Sequence, residues 1–136
     1  MKITIETLVN AGIGPVWSAW NNPDDIVRWN AASDDWHTTS SRVDLREGGT
    51  FSARMEARDG SFGFDFEGVY TRIVEHALIE YAMGDSRTVA VTFEPVAGGV
   101  KVTETFDAED THSAEQQRQG WQAILDRFAR YVEAKA

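Results

Sequence analysis

Residues 113–136, SAEQQRQGWQAILDRFARYVEAKA, close the chain, and their pattern decides the fold. Trp121, Ile124, Leu125, Phe128, Tyr131 and Val132 recur at steps of three and four, the period of a helix with one apolar stripe. Ser113 suits the N-cap, and Gln116 three residues later completes a capping-box pattern. A helix of about 20 residues spans roughly 30 Å, enough to cross a sheet. Alone it is marginal in water, so its stability must come largely from burying that stripe.

The residues before it supply the sheet. Residues 2–9 alternate, Ile3 and Ile5 against Thr4 and Glu6, as a half-buried strand does. Gly12 and Gly14 break the strand, Pro15 fits a first helical turn, and Val16, Trp17 and Trp20 follow at helical spacing to about Asn22. Pro23 opens a second short helix, with Asp24 and Asp25 at its positive end and Ile26, Val27 and Trp29 as its apolar side.

From Ser40 onward the texture is strand and tight turn. Residues 42–46 and 50–58 flank Glu47-Gly48-Gly49 as a hairpin, with Phe51, Ala53, Met55 and Ala57 on one face. After an Asp59-Gly60 turn, Phe62, Phe64, Phe66 and Tyr70 alternate along a strand whose Gly68 shares their face, which predicts a bend or a close approach. Beyond Tyr70 the apolar phase slips to Ile73, as a bulge requires. Residues 78–83, 88–94 and 100–106 are further strands, separated by Gly84-Asp85 and Gly98-Gly99 turns. The expected class is α+β: a curved antiparallel sheet of about seven strands, two short helices after the first, and a long C-terminal helix.

Length and composition set the outer bounds. At 136 residues the chain is expected to be one unit, residues 1–136, with no visible linker or repeat. A net charge of −9 argues against nucleic acid or an anionic membrane surface as partner, because such binding rests on Lys and Arg. No stretch is long and apolar enough to span a bilayer, and the N-terminus lacks the run of a signal peptide. The absence of cysteine excludes disulfides, thiolate catalysis and Cys-based metal sites, and a cytoplasmic location is expected.

Several motifs accompany this order of elements: Pro15-Val16-Trp17, Trp29, Arg46-Glu47-Gly48-Gly49-Thr50-Phe51, and the run from Val102-Thr103-Glu104-Thr105-Phe106-Asp107 to Gly120-Trp121-Gln122 with Leu125. With them the chain resembles the activator of 90-kDa heat shock protein ATPase homologue-like family, within the START and polyketide cyclase (SRPBCC) superfamily. The resemblance covers essentially the whole chain and implies a helix-grip fold with an apolar cavity between sheet and last helix. Members of the superfamily bind lipids, hormones or pigments, and a few catalyse ring closure. The co-chaperone for which the family is named also carries an N-terminal domain for which these 136 residues have no room.

The candidate cavity residues are Trp29 and Trp36 from the connections, Met55, Phe66, Tyr81, Val91 and Glu104 from the strands, and Trp121 and Leu125 from the helix. Trp29, Trp36 and Trp121 fit a pocket wall or plain core equally, whereas Trp17 and Trp20 share a helical face and read as core. Glu104 has the parity of Val100, Val102 and Phe106, so it points with the apolar set unless a bulge returns it to water. Arg87 shares the parity of Val89, Val91 and Phe93 and is a possible partner for an acid at the pocket mouth.

The remaining polar residues have plainer roles. His37, His76 and His112 lie apart with no second ligand at metal spacing, so neither metal nor cofactor is expected. No Gly-x-Ser-x-Gly is present, and Ser113 is explained as a cap. Asp24-Asp25, Asp34-Asp35 and Glu109-Asp110 read as solvated turn or helix-start charges. The expected function is binding of an apolar small molecule or lipid, with no catalytic residue assigned. Its rivals are a cyclase or dehydratase using Glu104 as acid or base, and a module that contacts a chaperone.

Overall fold

The computed structural model describes residues 1–135. Within them run β1 (Lys2–Val9), α1 (Ile13–Asn21), α2 (Pro23–Trp29), β2 (Trp36–Val43), β3 (Thr50–Ala57), β4 (Gly63–Val74), β5 (Leu78–Met83), β6 (Thr88–Val96), β7 (Gly99–Asp107) and α3 (Ala114–Lys135). The strands form one antiparallel sheet in the order β1-β7-β6-β5-β4-β3-β2. β2 to β7 are a meander of hairpins, and β1 joins it beside β7, pairing Lys2 with Asp107 and Val9 with Val100.

The sheet curls round α3, and local sequence explains where it bends. Register shifts fall between Thr38 and Ser40 and between Tyr70 and Arg72, the second being the bulge that the slip from Tyr70 to Ile73 predicts. Gly68 is a close approach: a Cβ there would stand 2.8 Å from the Ala82 carbonyl and 2.9 Å from the Phe51 ring. Gly99, at φ 147°, would bring a Cβ to 2.0 Å from the Val9 carbonyl, so only glycine lets β7 start against the end of β1.

The concave face carries Ile3, Ile5, Val89, Val91, Val100, Val102 and Phe106, all buried, and α3 sets Leu125, Phe128 and Val132 against it. The capping box is made as expected, with the Gln116 amide donating to Ser113 Oγ at 3.1 Å and the Ser113 amide to Gln116 Oε1 at 3.2 Å. Buried Gln117 ties the incoming loop to the helix by donating to the Glu109 and His112 carbonyls and accepting from the Glu109 amide. The outer edge of β1 is guarded by the same helix: Arg118 donates to the Thr4 carbonyl at 2.8 Å and Gln122 to the Glu6 carbonyl at 3.1 Å. Among the described residues no helix is long and apolar enough to cross a membrane.

Two expectations are corrected. The second strand is Trp36–Val43, not residues 42–46, because Trp36 to Thr38 and Ser40 to Val43 pair with β3 while Asp44 to Gly49 are taken up by the turn. Trp36 and His37 therefore start a strand instead of lying in a loop. Asp25, expected in water with Asp24, is only 7% exposed. It accepts hydrogen bonds from the Tyr131 hydroxyl at 2.5 Å and the Lys135 ammonium at 2.8 Å, which clasp the end of α3 to α2. Burial pushes its carboxyl up, but those bonds and the Lys135 and Arg28 charges outweigh it and hold the pKa below the ordinary value.

Candidate functional site

Between the concave face, α1–α2 and the N-terminal half of α3 lies a cavity of about 570 Å³. Its helical side is Trp20, Ile26, Trp29, Trp121 and Ile124, and its sheet side includes Phe51, Met55, Phe66, Tyr70 and Tyr81. The rings form continuous walls. Trp29 donates its indole N–H to the Ala19 carbonyl at 2.9 Å and packs 5.1 Å from Trp20 and 4.9 Å from Phe128. Trp121 lies flat on Phe106 at 4.0 Å and meets Phe66 edge-on at 6.1 Å, and Phe51 meets Tyr81 edge-on at 4.7 Å.

One ionisable side chain stands deep in this apolar surface. Strand register places Glu104 in a rung that runs Ile5, Glu104, Val91, Ile79, Ile73 across five strands, so every neighbour along the rung is aliphatic. Glu104 is 5% exposed, lines the cavity, and receives no hydrogen bond from any described residue. Loss of hydration alone pushes its carboxyl up to about 8. At neutral pH the group is therefore mostly a protonated acid, able to donate one hydrogen bond and to accept others. Tyr81, buried on the neighbouring rung, has its hydroxyl pushed well above the ordinary value by burial and then by the Glu104 and Tyr70 charges. Burial, helped by Asp44, pushes Tyr70 to about 12.

Of the residues singled out from sequence, Trp29, Met55, Phe66, Tyr81, Glu104 and Trp121 meet at this cavity. Val91 and Leu125 are fully buried in the core and are not part of its walls. Trp36 lies apart from it, packing against Phe62 and Phe64 at 6.0 Å each. Arg87 reaches the wall but not Glu104: its guanidinium is taken by Asp85, two residues back in the β5–β6 turn, at 2.6 Å. Trp17 is core as expected, whereas Trp20, one turn further along α1, both packs on Phe128 and faces the cavity. Sequence reasoning passed over Phe51, Tyr70 and Ile79, although Phe51 shares the parity of Met55, and Ile79 that of Tyr81.

The histidines are dispersed. His37 lies on β2, His76 takes φ 65° in the β4–β5 turn with its ring edge-on to Trp17, and His112 hydrogen-bonds Glu109 at 2.9 Å. No group of three or more His, Cys, Asp or Glu converges among the described residues.

A curled antiparallel sheet gripping one long helix over an aromatic-walled cavity defines a helix-grip protein of the START-like, SRPBCC type. The chain belongs to the family described as activator of Hsp90 ATPase homolog 1-like protein, whose model matches residues 10–133. It is similar to the AHSA1-like protein from Aeromonas hydrophila, at 56% identity over 99% of this chain and 94% of that one, with a TM-score of 0.93. A protein from Cytophaga hutchinsonii is 45% identical over 98% of this chain and 93% of its own, with a TM-score of 0.85. One from Chromobacterium violaceum keeps the fold, with a TM-score of 0.86, at 21% identity over 97% of this chain and 96% of its own. No curated protein matches the chain significantly.

Proposed function

We propose that the chain is a single START-like domain, cytoplasmic, that binds an apolar small molecule or lipid in the cavity between sheet and α3. The observation that carries this reading is the cavity itself. Its volume of about 570 Å³ lies within the usual range of ligand sites, and an aromatic wall surrounding few polar groups is what such sites favour. The walls offered by Trp29, Met55, Phe66, Tyr81 and Trp121 hold the ligand's body, and Glu104 meets its polar end.

Native mass spectrometry of freshly purified protein tests this directly, through a bound species that leaves on denaturation. Titration with apolar and aromatic compounds should also quench fluorescence from Trp20, Trp29 and Trp121, which line the cavity. Saturation at a hundred times Kd adds about 2.7 kcal/mol, which raises the melting temperature by several degrees. A broad panel that moves neither signal rejects the reading.

Each rival has a specific observation in its favour. The cyclase or dehydratase reading draws on a buried acid titrating near 8 beside an apolar cleft, a value suited to proton transfer at neutral pH. The chaperone-contact reading draws on the family and on the aromatic group of Trp36, Phe62 and Phe64, in which Phe62 is 62% exposed. Turnover lost in Glu104→Gln supports the first, and chaperone binding lost in Phe62→Ser supports the second.

A further inference from the structure

Resting on the ligand-binding reading above, we infer that the cavity is built for an organic cation, an apolar amine whose ammonium group pairs with Glu104 among the surrounding rings. Three observations point the same way. Glu104 is buried, faces the cavity and has no partner in the protein, so the charge complement is left to what enters. Phe66, Tyr81 and Trp121 surround the same space, and aromatic faces attract cations most strongly when water is excluded. The other charged side chains of the wall are Asp65 and Glu67 on β4, and Asp85 and Arg87 at the β5–β6 turn. Arg87, the one cation among them, is spent on Asp85, and Asp65 is itself met by Arg54 at 3.5 Å, so the wall offers a carboxylate ligand no unpaired cation.

The remaining groups around Glu104 do not reverse this. Tyr81 on β5 and Tyr70 on β4 keep their protons near neutrality. The flanking β1 and β6 positions are Ile5 and Val91, and α3 and α1–α2 line the cavity with Trp, Ile and Asn side chains that do not titrate. Glu104 is thus the group that responds. The ammonium enters carrying its own proton, the counter-charge favours ionised Glu104, and the carboxyl proton passes to buffer. Binding therefore tightens as pH rises from about 5 toward 8, approaching tenfold per pH unit, and levels off above 8.

The test uses phenylbutylamine, phenylbutanol and phenylbutanoate, three probes with one apolar body and different ends, followed by Trp fluorescence and calorimetry. The expected order is amine tighter than alcohol by tenfold or more, with the carboxylate weakest. Close to one proton should be released per amine bound at pH 7, read from binding enthalpies in two buffers, and none at pH 9. Glu104→Gln should remove both the amine preference and the proton release. Proton release is measured on the unaltered protein, so the test does not depend on how the variant folds. Equal or tighter binding of the alcohol, with no proton released by the amine, overturns the cation assignment and leaves the cavity a ligand site. Failure of all three probes to bind overturns the assignment and also counts against the ligand-binding reading.

Discussion

Replacing Glu104 by Gln should make the protein more stable, by an amount that grows with pH. The carboxyl titrates near 8 in the fold because burial strips its hydration, against an ordinary value of 4.5 that holds in the unfolded chain. Its folded-state pKa is raised, so the fold holds the proton more tightly than the unfolded chain does. Wild-type stability therefore falls as pH rises from about 4.5 to 8, at up to about 1.4 kcal/mol per pH unit, and the loss is complete above 8. Integrated, the loss is about 1 kcal/mol at pH 5, about 3 at pH 7 and about 5 at pH 9, with the last an upper bound because the open cavity admits solvent. Gln keeps the shape and never ionises, so its stability lacks this slope. Urea unfolding of both proteins at pH 5, 7 and 9, with m-values checked for equality, reads the difference directly. Parallel stability profiles would refute the reasoning, because they require a carboxylate that ionises in the fold as easily as in water.

Glycine positions should give effects of opposite sign. Gly68→Ala should cost about 1–3 kcal/mol in urea unfolding, since its methyl must push on the Ala82 carbonyl and the Phe51 ring. Gly120→Ala, inside α3 with nothing within 4 Å of the new methyl, should instead stabilise by about 0.5–1 kcal/mol. Asp25→Asn should weaken the clasp to Tyr131 and Lys135 by roughly 1–3 kcal/mol at neutral pH. Because the Asp25 pKa is lowered, that difference should vanish as pH falls through the carboxylate range, and a difference that persists there counts against the clasp. A chain ending at His112 lacks α3 and should lose cooperative thermal unfolding, as calorimetry would show, because the stripe of Leu125, Phe128 and Val132 closes the core.

Local patterns carried most of the fold. Alternation located the strands, the capping box marked the start of α3, and the phase slip after Tyr70 announced its bulge, because each is written in a few consecutive residues. What failed depended on partners distant in sequence. The start of β2 is set by pairing with β3, which no alternation in residues 36–43 announces. Asp25 reads as a helix-start charge until Tyr131 and Lys135, more than a hundred residues away, are brought onto it. At the site, parity placed Glu104 among apolar neighbours, yet parity is blind to depth. Val91 has the correct face and lies in solid core, while Phe51, at the other end of the sheet, meets the open space.

The position of β1 beside β7 has a consequence for the order in which the protein is made. β1 precedes the other six strands in the chain, but its sheet neighbour β7 is the last of the seven to be translated, and the α3 side chains that guard its outer edge come later still. The β2–β7 meander can zip hairpin by hairpin as it emerges, whereas β1 must wait unpaired through all of it. Its Ile3 and Ile5 are then available to other chains, which makes the nascent polypeptide prone to aggregate until β7 and α3 have emerged. Moving β1 to follow α3 by circular permutation would shorten that interval, and its signature would be a higher refolding yield at high concentration with the same final stability.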